Sequence, residues 1–573
     1  MEEKIYPVYT LSNKCHDCYK CVRECFVKSI EVIDSQAKII KDKCIACGHC
    51  VRVCPSSAKR IRYDIDKVKS LLISGKKVIV SLAPSWAGVY DYSQPVMISL
   101  LKTLGFYGVS ETALGAESVS IETTKTLNEM EKGLLISSCC PVVVDYIRNY
   151  KPEFTKYIAQ IASPALTHAK YLKDFYKDED IKVVFIGPCI AKKNEADRNP
   201  DLIFASLTYD ELNYWIKDLG IDINSIEPTK EDVFIPKPAH EGALYPIEGG
   251  MNETIKMDKI KKDVRLISLS SLPALKRALQ NLKAENIEGK IFLEALSCEG
   301  GCVNGPAVPQ KKSGLIVNSN ILSKVKKRSD IPKTPDTVVE MNYEPVLKSD
   351  KKISLVDMSD AMKSIGKTSD EDELNCGGCG YSTCRELAAA ILDKKAEPSM
   401  CVSYMRKLAM KKTAMLLRTM PSAMVMVNSK LEIMETNDAF IKMFAPDMYD
   451  IFSKRPDGMK GASLDRILPF YSLFETALMK NTEIHKERYQ IKDKLYDINV
   501  FVIEENTLTG AIITDVTTSE INREKVAKKA REVINKNIET VQNIASLLGE
   551  HMVDVETLLS SIAEDYSSED EKK

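Results

Sequence analysis

Leu134-Leu135-Ile136-Ser137-Ser138-Cys139-Cys140-Pro141 states the grammar of this chain: a short apolar run, then small residues, then cysteine. The order returns in Val183-Val184-Phe185-Ile186-Gly187-Pro188-Cys189. It returns again where Ile291-Phe292-Leu293 runs through Glu294 to Ser297-Cys298-Glu299-Gly300-Gly301-Cys302. Val78-Ile79-Val80 leads without cysteine into Ser81-Leu82-Ala83-Pro84-Ser85. Apolar runs of this length, separated by helical stretches, predict buried parallel strands of an α/β domain. Ligands of such sheets lie beyond the carboxyl ends of the strands, so Cys139, Cys140, Cys189, Cys298 and Cys302 are expected around one place. Four thiolates complete one iron-sulfur cubane, which leaves one of the five spare. Ordinary buried cysteines are the bland alternative. The Gly, Pro or Ser near each of them speaks against it.

Working outward, the remaining twelve of the seventeen cysteines also fall into spacing groups. Cys15, Cys18, Cys21 and Cys25 form C-x2-C-x2-C-x3-C, and Cys44, Cys47, Cys50 and Cys54 repeat it with Pro55 closing the second copy. Three thiolates within seven residues fit three corners of one cubane, while the fourth ligates the other cluster. Cys15, Cys18, Cys21 and Cys54 would hold one 4Fe-4S cluster, and Cys44, Cys47, Cys50 and Cys25 a second. Structural zinc, which more often uses two separated C-x2-C pairs, is the competing reading. The repeat resembles a bacterial-type two-cluster ferredoxin, with Phe26 where that pattern has Pro. His16 and His49 sit inside the loops and are expected as exposed hydrogen bonders.

Through the three cysteine loops, residues 63 to 310 resemble the catalytic domain of iron-iron hydrogenases, with the family's three motifs in order. The resemblance implies an H-cluster: a 4Fe-4S cubane joined through a cysteine to a diiron unit carrying CO, cyanide and azadithiolate. By motif position Cys140, Cys189, Cys298 and Cys302 would hold the cubane, with Cys302 bridging. Cys139 takes the place of the proton-relaying cysteine. Lys192 matches the lysine that pairs with one cyanide, and Ala83, Pro84 and Ser85 match the loop around the other. Departures are informative. Gly187 and Leu296 stand where strong catalysts carry methionine, Ala165 where a glutamine is expected, and Thr123, Thr126 and Ala159 where a proton route is expected. Glu117, Glu122 and Glu299 are the alternative acids nearby, against a reading as plain surface residues.

Beyond a Pro- and Lys-dotted stretch lie Cys376-Gly377-Gly378-Cys379, Cys384 and Cys401. This looks like a small 4Fe-4S module placed on the far side of the catalytic domain, with zinc again the alternative. Residues 403 to 418 predict a basic amphipathic helix. Ser422 to Val427, Leu431 to Met434, a helix opening at Asn437, and strands at 489–491, 495–502 and 509–514 then follow. That pattern resembles a PAS domain ending at Asp515-Val516-Thr517. The tail carries a 4-3 repeat, Ile534, Ile538, Val541, Ala545, Leu548, Met552, Val555, Leu559 and Ile562, which predicts a dimerising coiled coil.

A length of 573 residues exceeds one core and allows roughly three to five domains. The expected architecture is multidomain α/β: a ferredoxin-like two-cluster domain (1–62), an α/β H-cluster domain (63–345), a 4Fe-4S module (365–405), an α+β PAS domain (412–517) and a signalling helix (518–563). Net charge is −1 with signs interspersed, which excludes a basic face for nucleic acid. MEEKIYPVYT lacks the charged and apolar regions of a leader, and no apolar run spans a bilayer, so a cytoplasmic chain with reduced thiols is expected. The reading is an FeFe hydrogenase of low activity, exchanging H2, protons and electrons and acting as an H2 or redox sensor. It would be a homodimer signalling to a separate kinase or phosphatase effector. The alternatives are a metabolic hydrogenase linked to ferredoxin and a hydrogenase-like iron-sulfur assembly protein.

Overall fold

The computed structural model describes residues 5–257, 260–261, 263–309, 313–326, 328, 331–346, 353–452, 458–517, 529–538 and 560. The chain divides into two units, residues 1–363 with 368–397, and residues 364–367 with 398–573.

The first unit opens with two copies of one small motif. β1 (Val8–Thr10) pairs antiparallel with a later strand of the same domain, and β2 (Ile30–Ile33) pairs with β3 (Gln36–Ile39) across Asp34 and Ser35. Both turn residues have positive φ, 53° and 57°, as a two-residue turn between twisted strands requires. β4 (Lys59–Ile61) is the partner of β1. A short helix follows the cysteine loop of each copy, Lys20–Glu24 and His49–Val53. Gly48 precedes the second at φ +75°, where a Cβ would lie 2.5 Å from Ile190 Cδ1. A larger residue is excluded both by the backbone and by the close seat of this domain on the next.

The seam also carries buried charge. Lys193 is fully buried, 3.0 Å from Asp64 and 2.7 Å from Glu211, and Arg62 bonds both Asp64 and Asp197. Burial alone would raise the Asp64 carboxyl, but Lys193 and Arg62 hold it below its ordinary value.

Seven parallel strands build the next domain, in two sheets. β5 (Lys77–Leu82), β6 (Gly108–Glu111), β8 (Ile181–Gly187) and β9 (Ala205–Thr208) form one in the order β6-β5-β8-β9. β7 (Gly133–Ile136), β10 (Val264–Ser270) and β11 (Lys290–Leu296) form the other in the order β10-β11-β7. The four runs expected from the sequence are all strands, but they are shared two and two between the sheets. β6, β9 and β10 were not legible because they are short or carry Ser, Thr, Glu and Arg in place of a continuous apolar run. Every one of the four runs delivers its small-residue loop at its carboxyl end, so the two sheets meet where those loops converge.

Residues 368–397 return to this unit. A helix, Cys384–Leu392, starts at Thr383, whose hydroxyl accepts the Glu386 N–H at 3.1 Å. The segment packs against the N-terminal ferredoxin-type domain. This corrects the expectation that it would occupy the far side of the catalytic domain: Gly380 allows main chain to approach Arg23 where any side chain would collide.

The second unit contains the helix Val402–Thr419 and a five-stranded antiparallel sheet. Its strands are β12 (Ala423–Asn428), β13 (Ile433–Thr436), β14 (Ile484–Ile491), β15 (Lys494–Glu504) and β16 (Leu508–Asp515), in the order β13-β12-β16-β15-β14. The helix Asp438–Phe444 is capped by Asn437, which accepts from the Phe440 amide at 3.0 Å. Val425, Phe440, Phe474, Ile498, Val500 and Ile513 close one core between sheet and helices. β14 begins five residues earlier than its sequence pattern suggested, because Lys486 and Glu487 face solvent. Of the 4-3 repeat, Ile534 and Ile538 lie on a helical stretch and are half-exposed. The repeat positions from Val541 to Leu559, and Ile562, lie outside the described residues. Among the described residues no helix is long and apolar enough to cross a membrane.

Candidate active site

A single cavity receives the loops from both sheets. Ala83, Pro84 and Ser85 enter from β5, Cys139 from β7, Phe185 and Cys189 from β8, and Glu294, Leu296 and Cys302 from β11 and its loop. Lys192, Pro164, Ala165, Tyr245 and Met251 complete the wall. None of the seventeen cysteines is in a disulfide.

Five thiols crowd this end. Burial pushes Cys189 up to about 12, and Cys140 and Cys298 push the same way. Burial raises Cys302 well above its ordinary value, with Cys298, Cys140 and Cys189 adding to it. Thiols so disposed are costly to ionise unless a cation shares the charge, which is what iron supplies to thiolate ligands. Cys140, Cys189, Cys298 and Cys302 form the mutually interacting set that could hold a cubane. Cys139 points to a different neighbourhood: its Sγ lies 3.5 Å from Met251 Sδ, and burial, followed by the charge of Glu294, raises its thiol.

Lys192 is buried and aimed into the cavity. Its ammonium donates to Ser163 Oγ at 2.8 Å and Glu195 Oε2 at 2.6 Å. Two of three ammonium protons are thereby engaged, and a third remains for an anionic ligand. Opposite, the Ser85 and Tyr209 hydroxyls lie 2.7 Å apart, and Tyr209 also bonds the Ala83 carbonyl at 3.1 Å. A cavity with apolar walls, grouped thiols and one held ammonium fits an anionic metal cofactor. These residues fit the H-cluster that the sequence implies.

The positions that differ from strong catalysts have structural explanations. A Cβ on Gly187 would stand 2.7 Å from two Phe185 ring carbons and 2.8 Å from Ala83 Cβ, so Phe185 fills the space of a side chain there. Met251 supplies a thioether to the cavity from another element. Thr123 and Thr126 hydroxyls donate to the carbonyls of Val119 and Glu122 within their own helix, at 2.7 and 3.0 Å. They cannot pass a proton while so engaged. Glu117 is buried, held by Arg328 at 2.9 Å and the His240 amide at 2.5 Å, and burial raises it to about 7, yet it does not line the cavity. Glu122 is part-exposed beside Lys125, and Glu299 is exposed.

Glu294 is the acid beside Cys139, and it was overlooked. It is 2% exposed, and its carboxylate accepts from the amides of Met251 (3.3 Å) and Asn252 (3.1 Å) and from Ser268 Oγ (3.2 Å). Burial outweighs these donors and raises it to about 7. A charged residue inside an otherwise apolar strand run was the available signal. Tyr245, beside the Cys139 thiol, meets Ser120 Oγ at 2.9 Å, and Ser120 meets Thr254 at 2.6 Å. No motif announced these.

The two N-terminal cysteine groups interleave. Burial raises Cys21 to about 12, and among the cysteines Cys18, Cys54 and Cys15 reinforce it. Burial likewise raises Cys47 to about 12, with Cys25 and Cys44 the cysteines acting on it. Cys54 thus neighbours the first loop and Cys25 the second. Main-chain N–H groups of Ser29 and Ala46 point at Cys25 and Cys44 sulfurs, at 3.3 and 3.4 Å. Burial raises Cys298 to about 12, with Cys140 and also Cys47 contributing, so the second group lies next to the cavity's thiols. His16 is exposed and His49 half-exposed, 3.3 Å from Glu24. Cys376, Cys379 and Cys384 belong to the first unit, whereas Cys401 belongs to the second, as N-cap of the helix Val402–Thr419.

Residues 76–306 match the family model "Iron only hydrogenase large subunit, C-terminal domain". Residues 7–55 match "4Fe-4S dicluster domain" and residues 372–403 "Putative Fe-S cluster". The NADP-reducing hydrogenase subunit HndD of Solidesulfovibrio fructosivorans is 28% identical over 331 residues, 46% of this chain and 56% of that protein. Iron hydrogenase 1 of Clostridium pasteurianum is 26% identical over 397 residues, 52% of this chain and 68% of that protein. The chain therefore spans only about half to two thirds of these relatives. The nuclear prelamin A recognition factor of Homo sapiens is 24% identical over 350 residues, 49% of this chain and 76% of that protein. A solved structure of a variant of the FeFe-hydrogenase HydA1 from Chlamydomonas reinhardtii is 17% identical, with a TM-score of 0.39, over 49% of this chain and 99% of that chain.

Proposed function

Because the chain belongs to the iron-iron hydrogenase family through residues 76–306, we propose that it interconverts H2 with protons and electrons, slowly, as the input of an H2 or redox sensor. The observation that carries this reading is the cavity: Cys139, Lys192, Ser85 and Cys302 reach it from four separate segments of the chain. Cys140, Cys189, Cys298 and Cys302 would hold the iron-sulfur part of an H-cluster. Lys192 and the Ala83-Pro84-Ser85 loop, which line the same cavity, would hold its anionic ligands. When bound, the H-cluster supplies the metal chemistry of H2 cleavage and formation. The chain's residues orient it, exclude water and move the proton.

Cys139 holds that proton at its Sγ. Glu294, buried and raised to about 7, takes it onward to Ser268, which is part-exposed. Cys25, Cys44, Cys47 and Cys50 would hold one 4Fe-4S cluster and Cys15, Cys18, Cys21 and Cys54 a second, which would supply electron exchange with a ferredoxin-like partner. Low turnover is supported by Thr123 and Thr126, whose hydroxyls are bound within their helix, and by Ala159, which has none. By their spacing in the stretch that matches the Fe-S model, Cys376, Cys379, Cys384 and Cys401 would be the ligands of a further 4Fe-4S cluster. The sensor reading is supported by the five-stranded PAS-like sheet and the 4-3 repeat, which would pair two copies and address a separate kinase or phosphatase. A metabolic hydrogenase is the second reading, favoured by the dicluster domain at residues 7–55.

Infrared spectra of protein matured with the diiron cofactor should show CO and cyanide bands. Their absence removes both hydrogenase readings and leaves an iron-sulfur protein without the diiron unit. Turnover comparable with that of strong hydrogen producers removes the sensor.

A further inference from the structure

Ser85 opens the short helix Trp86–Val89, yet its side chain makes no bond to that helix's own amides. A serine in this place ordinarily accepts an N–H two or three residues on. Here the hydroxyl turns to Tyr209 instead, with 2.7 Å between Ser85 Oγ and Tyr209 Oη. Ser85 lines the active-site cavity, while Tyr209 stands behind it, fully buried, its ring meeting that of Tyr90 edge-on at 5.4 Å between centres.

The phenol is also held through its own backbone. Tyr209 is the first residue of the helix Tyr209–Asp218, where Thr208 Oγ1 accepts from the Glu211 amide at 3.3 Å and the Glu211 carboxylate accepts from the Thr208 amide at 2.7 Å. Glu211 in turn meets the buried Lys193 ammonium at 2.7 Å, so an ion pair anchors the start of this helix.

Two hydroxyl protons serve three oxygens here: Tyr209 Oη, Ser85 Oγ and the Ala83 carbonyl, which lies 3.1 Å from Tyr209 Oη. At 2.7 Å one proton must lie between the two hydroxyl oxygens. If it belongs to Ser85, the phenol donates to Ala83 and the serine shows only lone pairs to the cavity. If it belongs to Tyr209, the serine proton is free to point into the cavity. An anion there selects the second arrangement, because it repels lone pairs and attracts the proton. The phenol is the more acidic hydroxyl, its contact with Ser85 is the shorter of its two, and a donor placed behind a donor strengthens the outer bond. Burial raises the Tyr209 phenol, so it stays protonated.

We propose that Tyr209 is the positioning residue for Ser85: its phenol donates to Ser85 Oγ and turns the serine proton toward an anionic ligand of the bound cofactor. The inference rests on reading the cavity as the H-cluster site. Both anion-holding sides of the cavity are then built alike, with Ser163 and Glu195 fixing the Lys192 ammonium and Tyr209 fixing the Ser85 hydroxyl.

Tyr209→Phe in the full chain, matured with the diiron cofactor, tests this, since it keeps the ring against Tyr90 and removes one hydroxyl. Infrared spectra of wild type, Ser85→Ala, Tyr209→Phe and the double variant are compared at equal CO intensity. Ser85→Ala should move one cyanide band and leave the other. Tyr209→Phe should move the same band in the same direction, by at least about 10–30% of the Ser85→Ala shift, the share a hydrogen bond loses with its cooperative partner. The double variant should match Ser85→Ala. Cyanide bands unmoved in Tyr209→Phe or in Ser85→Ala overturn the inference and leave the hydrogenase reading standing, as does a double variant displaced beyond Ser85→Ala. Wild type without cyanide bands overturns both.

Discussion

Replacing Glu294 with glutamine should lower turnover in both directions about 10²-fold while leaving the cofactor loaded. Glu294 lies in the carboxyl half of β11, and its oxygens are held by two amides and Ser268. Burial moves it from an ordinary 4.5 to about 7, which corresponds to about 3 kcal/mol against the charged form. Near neutral pH it therefore holds a proton about half the time, and it can give or take one at little cost. Glutamine keeps the shape and an acceptor for the amides but exchanges no proton. A positioned acid or base contributes about 10² to 10⁴ in rate, and the low end, about 2.7 kcal/mol, applies if water partly substitutes. The sign of the pH effect follows. The folded value is raised, so the protonated fraction is full below about 5 and falls as pH rises through about 7. Hydrogen evolution that depends on this proton falls over the same window, and the Glu294→Gln profile is flat there. The same protonation makes folding stability decline between about 4.5 and about 7 in the wild type, a slope the variant lacks. The assay is hydrogen evolution from a reduced viologen dye across that range, normalised to infrared CO and cyanide intensity. Equal loading, turnover within about twofold and an unchanged pH profile would refute the relay.

Other substitutions probe the remaining parts. Cys139→Ala should lose about 10³-fold or more of turnover while the iron-sulfur absorption stays intact; wild-type rates would show that this thiol carries no proton. Lys193→Met leaves Glu211 and Asp64 buried with one cation fewer and should destabilise the unit by about 3–5 kcal/mol in thermal unfolding. An unchanged melting temperature would mean that Arg62 alone compensates. Gly187→Met should not restore fast turnover, because its Cβ collides with Phe185 and Ala83; overpacking costs about 1–3 kcal/mol. A faster enzyme with the wild-type melting temperature would contradict that account.

Which parts of the site could be foreseen depended on the range of the interaction. Cys15 to Cys25 and Cys44 to Cys54 were readable because ligand spacing around a cluster is set by a few consecutive residues. The loops at Cys139, Cys189 and Cys298 were readable because each ends an apolar strand, and their convergence follows from the way parallel strands deliver their carboxyl ends to one side. Division into two sheets was not readable. It depends on β6, β9 and β10, whose polar residues hide their pairing. Met251 and Tyr245 escaped notice because residues 240–257 carry no cysteine and no motif, and Met251 meets Cys139 across 112 residues. The seat of the Cys379 loop was placed wrongly, since chain order suggested distance and Gly380 permits contact with Arg23.

The amino-acid order by itself determined the cluster chemistry of this protein: which thiols lie close along the chain and which end their strands. These are properties of covalent spacing and local pattern. Only the tertiary structure decided that Glu294 titrates near neutrality beside Cys139, that Lys192 is held by Ser163 and Glu195, and that the loop at Gly380 rests on Arg23. A proton affinity depends on burial and on charges brought near through space, and a docking surface on the absence of one side chain. Neither is a function of distance along the chain.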